Sequence, residues 1–572
     1  MNTKEYLNFL KDSPTPYHAT QNIKKILLTH NFKELKSLPT DLQPGKYFLI
    51  QHLTLLIAFI VPPKTPTSIK IVATHNDSPV LKLKPNHQYT ESNIFLSSLQ
   101  PYGGGLWHTW FDRPLGVAGL VITQDMKKTL ININEPFFYI PSLAIHLDNT
   151  GIYKNGFQYD KETHLNAITD LKSKQDNSLS RQNSTLEDSK VEGNIRQSTN
   201  QNNSSILNYI SKKYNLKEEI LSHDLSLFDL SIPQTGGVSN NFIFSARQDN
   251  LFSTFCAIKA ITDISDISNT ITSDASNTSN TSDTSNTFNT SNTSNTSNIS
   301  NTITSNTSNT SLNIVAVFDN EEIGSTTVTG ARSDFFIKTI KNIICILKIN
   351  LQKVYTNSII VSTDVAHCRH PNYTDKSEKN HSVLLGEGVV IKYSNRYATD
   401  IMSSAVMKRL FLKNKIKYQE FVLKNNMVGG STIGPMLAFG LGIRGVDIGA
   451  PLLGMHSVSE VSCVYDLDEN ILLFKSLFEF DKDFINLCVS GWKRIVDIRI
   501  VDIRIVDSIR IVDIIRILDI RIVDIIRILL TKIGFPYVYD PFMTLIEALF
   551  RPSTQFGSDS SPLSFQKNYV II

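Results

Sequence analysis

The stretch Val-Phe-Asp-Asn-Glu-Glu-Ile-Gly-Ser, residues 317–325, joins an apolar run to three carboxylates, two of which are adjacent. Charged groups are seldom buried unless they are paired. Negative charges at the end of a buried strand therefore suggest a bound cation, whereas a solvated turn is the simpler alternative. The rest of the sequence decides between these two interpretations.

The apolar run before Asp319 is one of several short β-branched segments that alternate with helical patterns. Strands that alternate with helices are typical of an α/β sheet whose strands are buried. In such sheets, ligands collect where the strands end. The predicted strands are 68–74, 313–318, 358–363 and 445–449, and the predicted helices include 334–350 and 398–414.

Side chains that can bind metal follow each predicted strand, and one more carboxylate precedes a helical pattern. Imidazole and carboxylate without thiolate suit zinc, cobalt or manganese in a hydrolytic site, and a shared carboxylate would hold two ions about 3.5–4 Å apart. Five ligands with one in common give three to each ion and leave an open position for water or substrate. The candidates are His75, Asp77, Asp249, Asp319, Glu321, Glu322, Asp364, His367 and His456.

Glu321 and Glu322 point in different directions because they are adjacent, so both cannot easily serve one metal ion. One should bind metal while the other acts as a general base and then as an acid toward the leaving amine. Asp77, two residues after His75, can accept the second N–H of that ring. Each motif alone more often marks a polar turn, but their joint placement after apolar strands favours a metal site.

The bulk composition excludes several classes of partner. The 572 residues include 56 basic and 53 acidic residues, a formal net charge of +3, and five cysteines without a CxxC pair. The balanced charge offers no general attraction to nucleic acid or an anionic membrane, and the cysteines argue against a disulfide framework. The N-terminus lacks the apolar core of a signal peptide, and no apolar run reaches the roughly 18 residues of a membrane span. We expect a soluble, cytoplasmic protein with no nucleic-acid or membrane partner.

Three segments have compositions unlike the rest of the chain. Residues 262–311 drift into a Ser-Asn-Thr repeat with almost no apolar side chain to bury, which predicts a disordered loop. The polar stretch near 165–205 receives the same interpretation. Residues 493–530 repeat Arg-Ile-Val-Asp-Ile with a period near five, which matches neither a strand nor a helix. We interpret them as part of a low-complexity tail, 488–572, of unknown role, with an amphipathic helix as the alternative.

Ten ordered segments resemble the M18 metallo-aminopeptidases, in particular the aspartyl aminopeptidase group of binuclear zinc exopeptidases. They cover about 5–487 apart from the two polar insertions. The segments are FLKDSPTPYHA (9–19), THNDSPVLKLKP (74–85), PYGGGLWHTWFDRPLGVAG (101–119), PSLAIHLD (141–148), FIFSARQDNL (242–251), FDNEEIGS (318–325), STDVAHCRHPNYTDK (362–376), VVIKYSNRYATD (389–400), GGSTIGPMLA (429–438) and DIGAPLLGMHS (447–457).

The resemblance implies a ligand set for two divalent ions per subunit, with zinc the first candidate. By position, Asp249 would bridge the two ions. His75 and Asp364 would complete one ion site, and Glu322 and His456 would complete the other. This set agrees with the count of ligands at the strand ends.

The resemblance also implies roles around the metal ions. Glu321 would be the catalytic base, and Asp77 would orient His75. An acidic substrate side chain would be met by Lys392 and Tyr397, with His367 near the substrate. By position, His146 matches a histidine that enters the site from the dimerisation domain of a neighbouring subunit.

The implied fold is an α/β, zinc-exopeptidase-like mixed sheet flanked by helices and interrupted by a smaller β-rich dimerisation domain. The catalytic domain would comprise 1–88 and 240–487, and the inserted domain 89–239. The family assembles as a homododecamer, so we expect a homo-oligomer here. Three positions depart from many relatives, namely Gln248, Asn426 and Ser459.

The leading hypothesis is an aminopeptidase that removes N-terminal Asp or Glu from peptides. One alternative is a related aminopeptidase that prefers neutral residues such as Leu. The other alternative is a catalytically silent assembly or cargo protein, although the intact candidate site favours an enzyme. The Gly-rich segments PYGGG and VGGSTIG lack the GxxxxGK[ST] form of a phosphate loop and are interpreted as loops that line the peptide site.

Overall fold

A computed structural model describes residues 1–172, 206–264, 310–350, 354–355 and 357–480. The tail 488–572 lies outside these ranges. Of the predicted loop 262–311, only residues 262–264 and 310–311 lie within them. The polar stretch 165–205 lies outside them from residue 173 onward.

The largest sheet formed by the described residues is mixed and has nine strands. In spatial order its strands are β1 (Lys33–Glu34), β2 (Gly45–Gln51), β3 (Leu55–Val61), β13 (Ser311–Phe318), β4 (Ser68–His75), β14 (Ile359–Thr363), β18 (Gly445–Gly449), β16 (Val389–Tyr393) and β17 (Tyr418–Val422).

The four strands predicted from the sequence lie side by side and parallel in this sheet, as β13, β4, β14 and β18. Phe318 at the end of β13 pairs with His75 at the end of β4. On the other side of β4, Ser362 of β14 pairs with Ala73. The predicted α/β sheet is therefore confirmed, and the carboxyl ends of its central strands share one edge.

Both faces of the sheet are covered by helices, because successive side chains of a strand point to opposite faces. The helices are α1 (Asn2–Asp12), α2 (Pro16–Thr29), α3 (Asn149–Asn155), α4 (Ile206–Lys213), α5 (Gln248–Thr262), α6 (Asp334–Ile346), α7 (Ile401–Asn414), α8 (Gly434–Leu441) and α9 (Val464–Glu479). In β4, Val72 packs into the core beneath α1, α2, α5, α7 and α9, while Ile71 and Ala73 pack into the core beneath α6 and α8.

Local signals fix where the two predicted helices begin. Asp400 accepts a hydrogen bond from the Ser403 backbone, and the Ser403 hydroxyl accepts one from the Asp400 backbone, which is a capping box at the start of α7. The Ser333 hydroxyl accepts from the Phe335 backbone at the start of α6.

Within the described ranges, no helix combines the length and apolar character needed to cross a membrane.

A smaller antiparallel barrel interrupts the helix-flanked sheet, which confirms the predicted fold class. It begins at Val80 rather than near residue 89, because Val80, Leu81 and Leu83 turn into the barrel core directly after the loop that follows β4. Its strands are β5 (Val80–Glu91), β6 (Ile94–Tyr102), β7 (Pro114–Thr123), β8 (Lys128–Tyr139), β9 (Ala167–Leu171) and β10 (Ile220–Asp229).

The polar stretch predicted near 165–205 starts too early. Ala167–Leu171 forms β9, which pairs with β6, and Leu165 and Ala167 are buried in the barrel core. The strand has only five residues, Ala-Ile-Thr-Asp-Leu, and its sequence does not alternate between apolar and polar side chains. The sequence interpretation missed it because the polar residues that follow dominate the composition.

Two small sheets connect the loops near the sheet edge. One contains β11 (Gln234–Gly236), β12 (Phe242–Ser245) and β20 (Glu460–Cys463), and the other contains β15 (Ala366–His367) and β19 (Pro451–Leu452). The pairing of Ser245 with Glu460 places the start of α5 beside the loop that carries His456.

Candidate metal centre

His75, at the end of β4, lies in the middle of a buried group of carboxylates. Its side chain is 2 % exposed. Its Nε2 atom is 3.5 Å from Asp249 Oδ1 and 3.5 Å from Asp364 Oδ1. Asp364 reaches this place because it directly follows β14, the neighbour of β4, and Asp249 reaches it from the first turn of α5.

His456 forms the second half of the group. Its Nε2 atom is 3.1 Å from Asp249 Oδ2 and 3.4 Å from Glu322 Oε1. Asp249 therefore faces His75 with one oxygen and His456 with the other. The donor atoms of His75, Asp249 and Asp364 lie within 4.8 Å of one another, and so do those of Asp249, Glu322 and His456.

A tight turn after β13 presents both glutamates to this group. Asn320 adopts a left-handed conformation, with φ of 64°, and Glu321 and Glu322 follow in a short 3₁₀ turn. Asp77 fixes this turn, because its Oδ1 accepts from the Glu321 backbone N–H at 3.1 Å and its Oδ2 from that of Glu322 at 3.1 Å. Glu321, Glu322 and His75 also have donor atoms within 4.8 Å of one another.

The outer nitrogens of both histidines face acceptors. His75 Nδ1 lies 3.3 Å from Asp77 Oδ1 and 3.1 Å from the Asp77 carbonyl oxygen. His456 Nδ1 lies 3.1 Å from the Gly104 carbonyl oxygen. When Nδ1 carries the proton, the Nε2 lone pair of each ring faces the carboxylates, which is the arrangement of a metal-ligating histidine.

Several buried ionisable side chains lie close together in this group, and their proximity shifts their pKa values. Burial and the carboxylate of Asp364 raise the pKa of Glu321 to about 8 despite the nearby His75 ring. Burial lowers the pKa of His456, but the hydrogen bond to Asp249 and the negative charges of Glu322 and Asp249 together outweigh burial and raise that pKa to about 10. So many carboxylates at one place repel one another unless positive charge joins them.

The residues present fit zinc. Asp249 Oδ1 and Asp364 Oδ1 are buried and accept no hydrogen bond, and a bound ion can satisfy such atoms. The donors in the two groups that share Asp249 are imidazole nitrogens and carboxylate oxygens. Two sets of three donors with one in common match the number expected for a pair of ions.

Lys392 lies near the carboxylate oxygen of Asp364 that does not face His75, and Tyr397 lies beside Lys392. Lys392 is 3 % exposed, and its Nζ atom is 3.7 Å from Asp364 Oδ2 and 5.7 Å from the centre of the Tyr397 ring. Burial would raise the pKa of Asp364, but Lys392 and the His75 ring hold it well below its usual range. Lys392 thus supplies a positive charge at the end of the group.

His367 and His146 differ in their relation to the group. His367, in β15, lines a cavity of about 280 Å³ together with His456. His146 lies in the exposed loop between β8 and α3, and no contact within the described residues joins it to the group. The structure brings the other predicted site residues together in one chain.

The sequence matches a known protein family over most of the described residues. A family profile described as "Aminopeptidase I zinc metalloprotease (M18)" matches residues 9–303 and 282–478, in two overlapping parts. The chain belongs to the M18 family of zinc aminopeptidases. As an M18 aminopeptidase, it is a hydrolase that acts on peptide bonds.

Individual M18 relatives match over most of their length. The chain is 34 % identical to the "Probable aspartyl aminopeptidase" of Ricinus communis, covering 83 % of this chain and 94 % of the relative. It is 33 % identical to "Aspartyl aminopeptidase 4" of Saccharomyces cerevisiae, with shares of 83 % and 94 %.

Solved M18 structures share the fold. The cryo-EM structure of the Ape4 and Nbr1 complex matches with a TM-score of 0.68 and 30 % identity, covering 86 % of this chain and 87 % of the other. The S. cerevisiae mApe1 dodecamer matches with a TM-score of 0.63 and 25 % identity, with shares of 85 % and 98 %.

Two residues that support the M18 site were not predicted from the sequence. Glu460 is 2 % exposed, and its carboxylate accepts from the His456 backbone at 2.9 Å and from the Asp249 backbone at 3.1 Å. Tyr102 donates to Asp77 Oδ2 at 2.8 Å. The only sequence signal for Glu460 is a carboxylate at the start of a short apolar strand, four residues after His456.

The three departures from the M18 pattern have different surroundings. Gln248 is fully buried, and its side-chain amide donates to the carbonyl oxygens of Ile243 at 3.1 Å and Glu460 at 2.8 Å. It therefore ties β12 to β20 beside Asp249. Asn426 and Ser459 are exposed, and neither contacts the group of candidate ligands in the described part of the chain.

Proposed function

We propose that the protein is a binuclear aminopeptidase that hydrolyses an N-terminal Asp or Glu from peptides. The observation that carries this proposal is the pair of three-residue sets that have Asp249 in common. A single ion would not require one carboxylate to face two separate histidines. The names of the relatives support the acidic preference.

The side-chain positions support a role for each candidate ligand. His75 and Asp364 would hold one zinc ion, Glu322 and His456 would hold the other, and Asp249 would be a ligand of both. When bound, two zinc ions supply Lewis-acid polarisation of the scissile carbonyl and make the attacking water more acidic.

Glu321 is the general base. Its backbone is fixed by Asp77, while its carboxylate lies among the donor atoms near His75 without belonging to either proposed ligand set. From there it can take a proton from the attacking water and return a proton to the leaving amine. Asp77 performs two tasks, since it fixes the turn that carries Glu321 and orients the His75 ring.

Lys392 selects acidic substrates. Its ammonium group is buried beside Asp364 and Tyr397, so a substrate carboxylate placed there would meet a positive charge in a poorly hydrated setting. Tyr397, whose ring lies beside Lys392, would line the same position. His367 contacts substrate from the cavity beside His456, and His146 enters the site of a neighbouring subunit.

The subunits assemble as a homododecamer in the cytoplasm. Support for the assembly comes from the dodecamer of the S. cerevisiae mApe1 relative. Support for a reducing compartment comes from Cys256, Cys345, Cys368 and Cys463, the described cysteines, which are all free thiols. Light scattering of the purified protein should give twelve times the 64.3 kDa chain mass, and the mass of a monomer or dimer would contradict the assembly.

The test of function is the release of Asp, Glu, Leu and Ala from short peptides that differ only at the first residue. The protein is first stripped with a chelator and then supplied with zinc, cobalt or manganese. We expect no activity without metal and the highest kcat/KM for the two acidic residues.

Two other outcomes would contradict parts of the proposal. A preference for Leu or Ala would overturn the role of Lys392 but not the metal chemistry. Failure to cleave any peptide, by a folded protein shown to contain zinc, would overturn the catalytic proposal and favour a silent assembly protein.

A further inference from the structure

We propose that the segment Tyr102–Gly104 of the barrel supports both histidines of the metal centre, with Tyr102 as a positioning residue that acts through Asp77. This inference rests on the proposed metal centre. It gives the inserted barrel a task inside its own subunit, because the segment begins at the last residue of β6 and contacts Asp77 and His456.

Tyr102 supports His75 indirectly. Its hydroxyl donates to Asp77 Oδ2 at 2.8 Å and accepts from the Asn320 side-chain amide at 2.9 Å. Asp77 in turn faces the outer nitrogen of His75 at 3.3 Å. Because Asp77 is 1 % exposed, water cannot readily replace a lost donor, so the tyrosine hydroxyl fixes the position of a carboxylate that fixes a ring.

Gly104 supports His456 directly. Its carbonyl oxygen lies 3.1 Å from Nδ1 of the His456 ring, and the Leu106 backbone N–H donates to the His456 carbonyl oxygen at 2.9 Å. A carbonyl acceptor at Nδ1 selects the form of the ring whose Nε2 lone pair faces Asp249. The barrel therefore determines the orientation of a histidine that lies in another part of the chain.

Gly103 lies between Tyr102 and Gly104, and its lack of a side chain allows the backbone to run close to Glu322. Its φ is +78°, a conformation that L-residues rarely adopt, and a Cβ atom there would lie 3.2 Å from Glu322 Cβ. The backbone at Gly103 therefore lies close to Glu322. Three consecutive barrel residues thus lie beside Asp77, Glu322 and His456, and the first and last of them make hydrogen bonds to this group.

The rest of the barrel holds Tyr102 in place. Lys82 Nζ lies 4.6 Å above the centre of the Tyr102 ring and 2.8 Å from Asp224 Oδ1. The Tyr17 hydroxyl of α2 donates to Asp224 Oδ2 at 2.9 Å. Zinc affinity should therefore depend on how firmly the barrel is attached to the rest of the subunit.

The test compares the zinc dissociation constants of wild type, Tyr102→Phe and Tyr214→Phe, measured by competition with a chromophoric chelator. Tyr214 is the matched control, because its hydroxyl also makes two hydrogen bonds in the barrel, both to the Asn132 backbone. We expect about 10-fold weaker binding of one zinc ion in Tyr102→Phe, the lower end of the effect of losing an outer partner of a metal ligand. Tyr214→Phe should bind zinc like the wild type.

A second measurement separates positioning from general destabilisation. In the cobalt-loaded protein, the visible absorption bands report the ligand geometry and should change in Tyr102→Phe but not in Tyr214→Phe. Gly103→Ala, which presses on Glu322, should shift the same bands.

The outcomes distinguish this inference from the proposed function. If the wild type binds zinc while Tyr102→Phe and Gly103→Ala keep its affinity and cobalt spectrum, the support role is wrong and the metal centre stands. If the wild type binds no zinc, the proposed metal centre itself fails.

Discussion

At the scale of single residues, Asp249 joins the two halves of the centre and Glu321 stands outside both. Asp249 faces His75 with one oxygen and His456 with the other, at 3.5 Å and 3.1 Å. Glu321 follows the same strand as Glu322 but belongs to neither set that includes Asp249. The two adjacent glutamates can therefore be separated by mutation.

Glu321→Gln should leave the zinc content unchanged while lowering kcat by at least about 100-fold, because a neutral amide cannot accept the proton from water. Steady-state kinetics and elemental analysis of the same sample check this. The control is Glu387→Gln, at a carboxylate that is 57 % exposed. A kcat close to that of the wild type would rule out Glu321 as the base.

Lys392→Ala should lower kcat/KM for peptides that begin with Asp or Glu more than for those that begin with Leu, because a buried substrate carboxylate loses its charge partner. Lys338→Ala, at a lysine whose side chain is 70 % exposed, is the control. Equal losses for acidic and neutral peptides would show that Lys392 has no role in selection.

At the scale of elements, the short strand β20 fixes the start of α5 relative to the loop that carries His456. Glu460 does this by accepting backbone N–H bonds from both Asp249 and His456. Glu460→Gln turns one acceptor into a donor that faces an N–H group. We expect a loss of about 1–3 kcal/mol in the free energy of unfolding, the usual cost of a buried group left without a partner.

Urea denaturation of the zinc-loaded protein measures this loss. The control is Glu420→Gln, at a side chain that is 34 % exposed and pairs with Lys408. Unchanged stability in Glu460→Gln would mean that the two backbone bonds do not hold the elements together.

The barrel should show its own response to acid through His87 of β5. Burial, followed by the nearby His223, lowers the pKa of His87 from 6.5 to about 4. Because the pKa of His87 is lower in the folded state than in the unfolded state, its contribution to folding stability is fully present above pH 6.5 and is lost as the pH falls toward 4. This pKa shift corresponds to a loss of at most about 3 kcal/mol in the free energy of unfolding.

Between pH 7 and pH 5, the melting temperature of His87→Leu should therefore fall less than that of the wild type. His108→Leu, at an exposed histidine, should behave like the wild type. Parallel pH profiles for wild type and His87→Leu would contradict the buried, neutral state of His87.

The central strands and the ligands at their ends could be predicted from the sequence because their signals are local. A β-branched run followed by His75, or by Glu321 and Glu322, needs no knowledge of distant residues. The start of the barrel at Val80 could not be located, because its alternating apolar residues follow β4 after only a short loop. The contacts of Tyr102 and Glu460 were also missed, since each depends on segments far apart in the chain that meet only in the folded protein.

At the scale of the whole molecule, three parts of the chain meet at one edge of the central sheet. The sheet supplies His75, Glu322 and Asp364, the first turn of α5 supplies Asp249, and the loop before β20 supplies His456. The barrel segment Tyr102–Gly104 lies against them. The metal centre is thus a product of the complete fold, and no single segment contains it.

The most direct test of the shared-carboxylate centre is anomalous X-ray diffraction at the zinc edge from crystals of the zinc-loaded protein. We predict two peaks per chain, about 3.5–4 Å apart, one between His75 and Asp364 and the other between Glu322 and His456, with Asp249 beside both. A single peak in fully loaded crystals, or peaks away from Asp249, would contradict a centre in which one carboxylate holds both ions.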